Sequence, residues 1–549
     1  MSRISTLFLA ALCLCSFPTT AQAQQQIQKE EAFASVGRWL DSFDFPLAIF
    51  WSSPHNFKAV HMALIPMDVP MPGGGNLQGK ILAWGDRRAF GTEWRSSWMV
   101  LDPDTNAMLA GGVLLTDYEN SLNGANEGSI FCSGHAWTPE GKLLVAGGMY
   151  LPGMKNGAKL VYLFDPSVIP FGGDPWQRQP DLAVGRWYPT VTQLGDSDSM
   201  IILGGKNRRS EVEDNYTLYN WRTGTFNSNV SQGPPGAWHN IHGLFFYPRT
   251  HLLPNGDIFF SGFMQNSASI NPLTRQNHQL ETDWDDNYEI EEVGLRVYGE
   301  SLMLPLRNSS TLDDVRIQVM CGEIYDQGGL GVSLGATSMV EELSFNPSDA
   351  HYRQWSDAAV ADMREERWFP NMVQLPDESV LVIGGEADEV VRPLKQPELR
   401  VNGVWQYVAR PDSARGYHST ALLLPDGRVI SGGGDHRRSD FQIFEPPYLF
   451  KPGRPVINDL HDDVLRYGQP NGIRFSGKAG KIVLMKPGSR THHFDNDQRM
   501  LILWEGEDDS GEVHFDGPTN GNLAPIGLYM LFLVSPGGVP SEAHWVEVR

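Results

Sequence analysis

Short apolar segments recur along most of the chain, with polar turn residues between them. Each segment has about five apolar residues, and most end in one or two glycines. Continuous apolar runs of this length are typical of β-strands buried on both faces. Seven copies lie mostly about 60 residues apart, at residues 79–85, 141–148, 200–205, 256–262, 316–322, 380–385 and 427–433.

This repeat predicts an all-β protein built around a seven-bladed β-propeller of the kelch type. Each unit also carries a second strand that ends in a turn, such as residues 162–166 and 441–446. The glycine pairs mark tight exits where neighbouring backbones approach closely. We expect the propeller to occupy residues 46–452, and the starts of its inner strands to meet around one mouth of a central channel.

The pattern changes after a proline-rich stretch at residues 446–455. Strand-like runs now follow one another at roughly ten-residue spacing, which is typical of a β-sandwich. The runs are 472–475, 481–485, 500–504, 512–515, 528–534 and 544–548. We therefore predict an immunoglobulin-like C-terminal sandwich at residues 453–549. The segment 24–45 is short and polar, and it is too small for a separate binding domain.

The first 23 residues have the features of a signal peptide. Arg3 supplies a charge, residues 7–15 form an apolar core, and Ala21-Gln22-Ala23 resembles a cleavage site. The apolar run is too short to span a bilayer as a helix. We therefore expect a secreted protein, extracellular or periplasmic, without a membrane anchor, and we expect it to be a monomer.

The charge balance narrows the possible partners. The chain has 43 basic and 65 acidic residues, a formal net charge of −22. Nucleic acids and anionic membranes are recognised by basic surfaces, so neither is an expected partner. The charge does not restrict a neutral small-molecule substrate.

The mature chain would keep two of the four cysteines, Cys132 and Cys321. In an exported protein, two cysteines first indicate one disulfide. The two residues fall in non-adjacent repeats and at different positions of the repeat. The separation of ~6 Å that a disulfide requires is therefore not expected, and Cys321 is interpreted as a small buried apolar residue.

Four polar residues hold similar places in different repeats, just before a strand. They are Cys132, Tyr188 and the pair Tyr417 and His418. His492 lies in the predicted sandwich, and it can join them only by reaching into the channel mouth, which the repeat alone does not imply. Two tyrosines and two histidines form a mixed nitrogen and oxygen ligand set that suits Cu(II).

The sequence around these residues resembles the copper-radical oxidases, the family of galactose oxidase and glyoxal oxidase. The similarity extends over nearly all of the mature chain, and the Arg-Trp-Tyr-Pro motif is closer to the glyoxal oxidase branch. The motifs are Phe131-Cys132, Arg186-Trp187-Tyr188-Pro189, Arg415-Gly416-Tyr417-His418, and Thr491-His492 with Asp497-Gln498-Arg499.

The resemblance implies a role for each residue. Cys132 would be joined to the ring of Tyr188 by a thioether, and the modified Tyr188 would bind copper and carry a radical. His418 and His492 would be equatorial copper ligands. Tyr417 would be the axial ligand and the base that accepts the substrate's hydroxyl proton. The implied reaction oxidises small aldehydes or primary alcohols with O2 and gives H2O2.

One departure from galactose oxidase concerns the tryptophan that stacks over the modified tyrosine there. In this chain Asn207 stands at the matching position, after Gly204-Gly205. Trp187 or Trp137 could shield the ring instead. The substitution leaves copper binding untouched but puts radical stability and substrate preference in question.

Other residues near the repeat position are candidates for substrate contact or packing. Tyr247 and Arg249 could line the mouth; Arg249 could hold a hydroxyl or carboxylate, or could form a buried ion pair between blades. Phe369 is expected to form an apolar wall. His135 and His493 are interpreted as outer neighbours of the site or surface residues.

A different class of function fits the same fold. Propellers host many unrelated activities, so a non-catalytic propeller that binds glycans or a surface protein stays open. That alternative predicts an unmodified Tyr188 and no metal dependence.

Overall fold

The computed structural model describes most of the chain between residues 29 and 549. The described residues are 29, 32–44, 57–85, 88–90, 93–116, 128–150, 156–213, 215–227, 246–261, 267–274, 276–279, 293–326, 333–358, 360–387, 393–394, 396–435 and 440–549. The predicted signal peptide lies outside them. The fold is all-β, as predicted. A helical turn covers residues 32–36, and short 3-10 helices lie at Pro166–Phe171, Leu312–Asp314 and Pro447–Phe450.

Seven antiparallel sheets, numbered here in chain order, follow the sequence repeat. Sheet 1 contains His61–Leu64, Ile81–Trp84, Arg88–Phe90, Glu93–Asp102 and Ala107–Thr116, joined by Ser489–Thr491 and Phe494–Asp495. Sheet 2 contains Gly128–Trp137, Leu143–Tyr150, Asn156–Gly157, Val161–Phe164 and Trp176–Arg178. Sheet 3 contains Thr190–Gln193, Ser199–Leu203, Tyr216–Asn220 and Thr225–Phe226. Sheet 4 contains Arg249–Leu252, Ile258–Ser261, Ala268–Asn271 and Gln276–Gln279.

The remaining three sheets of the repeat have the same strand order. Sheet 5 contains Glu300–Met303, Arg316–Met320, Val340–Ser344 and Trp355–Ser356. Beside it lies a small sheet of Val293–Val297, Glu323–Asp326 and Ser333–Ala336. Sheet 6 contains Asn371–Gln374, Val380–Ile383, Glu398–Val401 and Val404–Tyr407. Sheet 7 contains Ser419–Leu423, Val429–Gly433 and Asp440–Glu445, extended by Arg38–Trp39 and Phe43–Asp44.

Each of the seven apolar segments found in the sequence forms the second strand of one sheet. Most of their apolar side chains are buried, which explains the continuous apolar runs. The glycine pair provides space at the strand end: Gly205 has φ +80°, and a Cβ there would lie 2.5 Å from the Trp187 carbonyl oxygen. The backbone of the neighbouring motif therefore approaches too closely for any other residue.

Buried arginines hold the ends of these strands. Arg186 donates to the Gly204 carbonyl at 2.9 Å, and Arg367 donates to the Gly384 carbonyl at 2.8 Å. Each arginine precedes the first strand of its sheet and reaches the end of the second. The arginine of the Arg-Trp-Tyr-Pro motif thus has a structural role, because it donates to a buried carbonyl oxygen.

Replacing Arg367 by methionine is expected to destabilise the fold by roughly 3–5 kcal/mol. The Arg367 guanidinium pairs with Glu398 at 2.6 Å, and both side chains are fully buried. Methionine fills the space but leaves the carboxylate without its counterion. The urea midpoint of unfolding measures the loss, and the double variant with Glu398→Gln should recover part of it. If Arg367→Met and the parent were equally stable, the Arg367–Glu398 ion pair would not stabilise the fold.

The C-terminal region consists of two sheets with a shared apolar core. A six-stranded sheet contains Leu306–Arg307, Val464–Leu465, Ala479–Met485, Met500–Asp508, Gly527–Val534 and His544–Val548. A three-stranded sheet contains Val456–Leu460, Pro470–Ser476 and Glu512–Asp516. All six strands predicted from the spacing are present. Leu306–Arg307, which follows the first strand of sheet 5, pairs in parallel with Met500–Asp508 and ties the two parts of the chain together.

A C-terminal hairpin inserts among the seven sheets. Its strand Ser489–Thr491 pairs with the first strand of sheet 1, with Thr491 opposite His61. Arg490 anchors it through a buried ion pair with Glu300 of sheet 5 at 2.7 Å. His492 directly follows this strand. It therefore lies where the first strands of the sheets approach one another.

Among the described residues, no helix is long and apolar enough to cross a membrane.

Candidate metal centre

In six of the seven sheets, one residue within the first strand or just before it adopts a left-handed backbone. Such a conformation is uncommon for residues other than glycine and concentrates at functional sites. Neighbouring members are linked: the Tyr188 N–H donates to the Cys132 carbonyl at 3.0 Å, and the Tyr247 N–H to the Tyr188 carbonyl at 2.8 Å. The residues and φ angles are Cys132 (65°), Tyr188 (65°), Tyr247 (47°), Tyr298 (58°), Phe369 (53°) and His418 (64°).

The structure brings all five predicted site residues together. The hydroxyl groups of Tyr188 and Tyr417 are hydrogen-bonded to each other. The Cys132 Sγ lies 3.6 Å from the His492 Nε2. The ligand atoms of Cys132, His418 and His492 all lie within 4.8 Å of one another. Residues from sheets 2, 3 and 7 and from the C-terminal hairpin therefore form one compact cluster.

Hydrogen bonds fix the orientation of both imidazoles. The His418 Nδ1 lies 2.7 Å from the Asp435 carboxylate, which also pairs with Lys58 at 2.9 Å. The His492 Nδ1 lies 2.7 Å from the Thr491 hydroxyl. Partners of this kind hold metal-binding histidines in one orientation, so both residues would bind a metal through Nε2. Asp435 was not predicted from the sequence, although it directly follows the Gly433-Gly434 pair.

The chemistry of these groups fits Cu(II). Burial, and then the charge of nearby His418, lowers the pKa of His492 well below its usual range, so the imidazole is neutral, as ligation requires. Burial, followed by the neighbouring Cys132, raises the pKa of both Tyr188 and Tyr417 well above the ordinary phenol value. The imidazoles of His418 and His492 and the two phenols in contact form the nitrogen and oxygen donor set that suits this ion.

Replacing Asp435 by asparagine is expected to weaken copper binding by roughly 10- to 100-fold. This is the usual effect of losing a residue that hydrogen-bonds to a metal ligand. The amide keeps the shape but loses the charge that orients His418. Copper competition with a chelator of known affinity measures the change. Lys58→Met is the matched control, since it removes the other partner of the same carboxylate. An unchanged affinity in Asp435→Asn would contradict a role for this carboxylate in holding His418 for copper.

Two aromatic rings stack on Tyr188. Trp187 stacks on it with ring centroids 4.2 Å apart and planes 18° apart, and Tyr247 stacks at 4.8 Å. The side-chain oxygen of Asn207, at the position of the galactose oxidase tryptophan, accepts from the backbone N–H of Arg209 at 2.8 Å. Trp137 packs in a different core cluster. Of the two tryptophans considered from the sequence, Trp187 is the one in contact.

Of the candidate substrate residues, Tyr247 and Arg249 are both 3% exposed. Tyr247 donates its hydroxyl hydrogen to the Ser133 carbonyl at 3.1 Å. Burial lowers the pKa of Arg249 to about 10, and the nearby charge of Glu300 in sheet 5 opposes that shift. Substrate contact and an inter-sheet ion pair therefore both stay predictions for Arg249. Phe369 is half-buried, with its ring centroid 4.4 Å from that of Tyr417, as expected of an apolar wall.

Two further histidines, His135 and His61, form a buried chain of contacts that ends at the Cys132 backbone. His135 is fully buried rather than on the surface, and its Nε2 lies 3.1 Å from the His61 Nδ1. The His61 Nε2 in turn lies 3.2 Å from the Cys132 backbone nitrogen. His61 was not predicted from the sequence, although it begins the first strand of sheet 1 and so matches the repeat position. His493 is also buried and packs against Phe369 at 5.0 Å.

The alternative of a disulfide is wrong. Cys132 and Cys321 are both buried, and neither takes part in a disulfide. The Cys321 Sγ lies 2.9 Å from the Met363 sulfur in an apolar cluster between sheets 5 and 6. Cys321 is therefore a small buried apolar residue, as the sequence predicted.

Comparison with known proteins identifies the family. Residues 125–447 match the family described as glyoxal oxidase N-terminus, and residues 454–548 match the galactose oxidase-like early set domain. Aldehyde oxidase GLOX of Vitis pseudoreticulata is 30% identical over 472 residues, covering 76% of this chain and 82% of the relative. Galactose oxidase of Gibberella zeae is 26% identical over 510 residues, covering 86% of this chain and 67% of the relative.

A solved structure shows the same fold. It is a fungal alcohol oxidase of the AA5 family in complex with copper, 21% identical, with a TM-score of 0.67. The alignment covers 93% of this chain and 99% of that one. The site and these matches define the class as a copper-radical oxidase. The chain belongs to the family of glyoxal and galactose oxidases, nearer the glyoxal oxidase branch, and it is an oxidoreductase.

Proposed function

We propose that this protein is an exported copper-radical oxidase that converts small aldehydes, as their hydrates, or primary alcohols, with O2, into the oxidised product and H2O2. The observation that carries the proposal is the contact between the Tyr188 and Tyr417 hydroxyls, beside the sulfur of Cys132 and the Nε2 of His492. The named oxidase relatives give the substrate class. The signal peptide predicted at residues 1–23 supports export, and a mature N-terminus near Gln24 is the expected result of intact-mass analysis.

The sheets are best understood as the seven blades of a propeller, at residues 46–452, followed by an immunoglobulin-like sandwich at 453–549. Contacts between the first strands support a closed ring. The first strand of sheet 3 lies against those of sheets 2 and 4, and the first strand of sheet 7 lies against those of sheets 6 and 1. Sheets 5 and 6 are joined by a hydrogen bond from the Phe369 N–H to the Tyr298 carbonyl at 2.9 Å.

Four residues would hold the copper: His418 and His492 through Nε2, and Tyr188 and Tyr417 through their oxygens. Bound there, copper supplies a one-electron couple and a Lewis acid. Cys132 and Tyr188 would be joined by a thioether, in which a C–S bond replaces the thiol S–H and one ring C–H bond. The two hydrogens and two electrons would reduce one O2 to H2O2. The electron-donating sulfur makes Tyr188 easier to oxidise, and the stacked Trp187 keeps water from its face.

Tyr417 has the position of a general base. It contacts Tyr188 through its hydroxyl and is more exposed than Tyr188, which is 6% exposed. A base must be deprotonated and must reach the proton that it removes. Burial raises the pKa of Tyr417, and bound copper would lower it again and hold the side chain as a phenolate. The more open of the two phenols is also the one that a substrate hydroxyl can approach. Phe369 and Phe246, both half-buried, flank the pair with apolar surface.

Replacing Tyr417 by phenylalanine is expected to lower kcat by roughly 100- to 10,000-fold, the usual contribution of a general base. The ring, and therefore the packing against Phe369 and His418, is kept. Steady-state O2 consumption measures kcat, while mass spectrometry should still find Cys132 joined to Tyr188. A variant with parental kcat would exclude the base role.

The reaction class is tested by O2 uptake and peroxide release. Copper-loaded protein is assayed with a panel of small aldehydes, primary alcohols and sugars, and Tyr188→Phe is the control without the redox side chain. The proposal predicts stoichiometric H2O2 from at least one compound and none from the control. Copper-loaded protein that is inactive on the whole panel, with an unmodified Tyr188, would favour the non-catalytic, glycan-binding alternative.

A further inference from the structure

A second cluster of metal-ligand side chains lies on the outer face of the C-terminal region, away from the copper centre. It is formed by His461, Glu512 and His514, and we call it the outer histidine cluster. Its ligand atoms all lie within 4.8 Å of one another. The three residues lie on the three-stranded sheet Val456–Leu460, Pro470–Ser476 and Glu512–Asp516, or directly beside it.

Strand alternation places these side chains on the same face. Ile473 and Val513 are buried in the core, so residues one position away point outward. Glu512 and His514 are two positions apart on one strand and therefore share the outer face. His461 directly follows the neighbouring edge strand and is also exposed.

Gly472 allows the two histidines to meet across the middle strand. It lies directly opposite His514, and its carbonyl accepts from the His461 N–H at 2.9 Å. A Cβ on Gly472 would lie 2.4 Å from the His461 ring. The φ angle of Gly472 is not in the left-handed region, so the glycine provides space rather than an unusual conformation. The His461 imidazole occupies that space and reaches toward His514, with ring centroids 5.6 Å apart.

We propose that the outer histidine cluster is a second metal site, for a divalent ion of the Zn²⁺ or Cu²⁺ kind. Two imidazoles and one carboxylate are a ligand set that both ions accept. The His461 Nε2 and the Glu512 carboxylate are already 2.8 Å apart, so binding requires a small adjustment of side chains rather than of the backbone. Exposure leaves room for water to complete the coordination.

The surrounding charges allow a cation to bind. Arg474 approaches the Glu512 carboxylate at 3.7 Å, but it also has Asp459 at 3.6 Å as a second partner. Arg474 can therefore pair with Asp459 alone when Glu512 binds a metal. The chain carries a net charge of −22, which favours cations in general. The expected consequence is a metal content above one ion per chain.

The test is calorimetric titration of Zn²⁺ into the full-length, copper-loaded protein. The site predicts saturable binding of one Zn²⁺ per chain that is absent, or at least about tenfold weaker, in His514→Ala; loss of even an outer partner of a ligand costs that much. His544→Ala is the matched control. His544 is a surface histidine of the same region paired with Asp463 at 2.8 Å, and it belongs to no such cluster among the described residues.

A second variant tests the role of the glycine. Gly472→Ala keeps all three ligands but puts a methyl group where the His461 ring lies, so it should weaken Zn²⁺ binding without affecting oxidase activity. Cu²⁺ added beyond the first equivalent should give a second nitrogen-coordinated paramagnetic resonance signal that His514→Ala lacks. Absence of saturable Zn²⁺ binding, or equal binding by parent and His514→Ala, would overturn the proposal. Thermal unfolding verifies that the variants are folded.

Discussion

Replacing Cys132 by serine is expected to lower oxidase activity by at least about a thousandfold, equivalent to roughly 4 kcal/mol of barrier, while copper stays bound. Serine is similar in size to cysteine but cannot form a thioether, so Tyr188 stays an ordinary phenol that is harder to oxidise by one electron. His418, His492 and both phenols are unchanged. Activity is measured by peroxide release, copper by metal analysis, and the radical by its optical and paramagnetic resonance signals.

Cys321→Ser provides a matched control. Cys321 is also buried and also has a left-handed backbone, with φ 60° against 65° at Cys132. Any general effect of placing a hydroxyl in a buried cysteine position appears in both variants. We expect Cys321→Ser to lose some stability and to retain activity. Equal activity of Cys132→Ser and the parent would show that oxidase activity does not depend on a thioether at Tyr188.

Replacing His492 by asparagine is expected to weaken copper binding by at least about a hundredfold and to abolish activity with it. His492 supplies one of the two imidazole ligands. Its replacement should weaken copper binding by more than the 10- to 100-fold that is usual for a residue that only hydrogen-bonds to a ligand. Asparagine is chosen because the φ angle at this position is +44°, a conformation that asparagine tolerates better than most residues. Copper affinity is measured by chelator competition.

His493→Asn is the control for that variant. The two histidines are adjacent, buried and both left-handed, with φ 79° at His493. His493 packs against Phe369 and does not belong to the ligand cluster. We expect His493→Asn to retain copper. If His493→Asn lost copper and His492→Asn retained it, the assignment of the two residues would be reversed.

The repeat made much of the site predictable from the sequence. Residues at equivalent positions of a repeat occupy equivalent positions in space, so the repeat alone was enough to place Cys132, Tyr188 and His418 together. Tyr298 holds the same position in sheet 5, but the repeat around it is too degenerate for the pattern to indicate this. Strand periodicity was equally informative, because burial on both faces requires unbroken apolar runs.

Contacts between distant segments could not be read from the pattern. The pairing of Thr491 with His61, which brings His492 to the centre, depends on a hairpin that leaves one region and adds to the edge of a sheet in another. The sequence of a segment does not indicate which distant strand it pairs with. The stacking of Trp187 on Tyr188 is similar, since it depends on the left-handed backbone at Tyr188. Side-chain chemistry predicted which residues matter, and tertiary structure decided how they meet.

The most direct test of the central claim is peptide mapping by mass spectrometry on protein prepared with copper and without it. Copper-loaded protein should yield one linked species containing the Cys132 and Tyr188 peptides, two hydrogens lighter than their sum and resistant to reduction. Copper-free protein should yield the two peptides separately. Separate, unmodified peptides after complete copper loading would contradict the account, because the cluster would then bind metal without forming the redox side chain that the proposed oxidation requires.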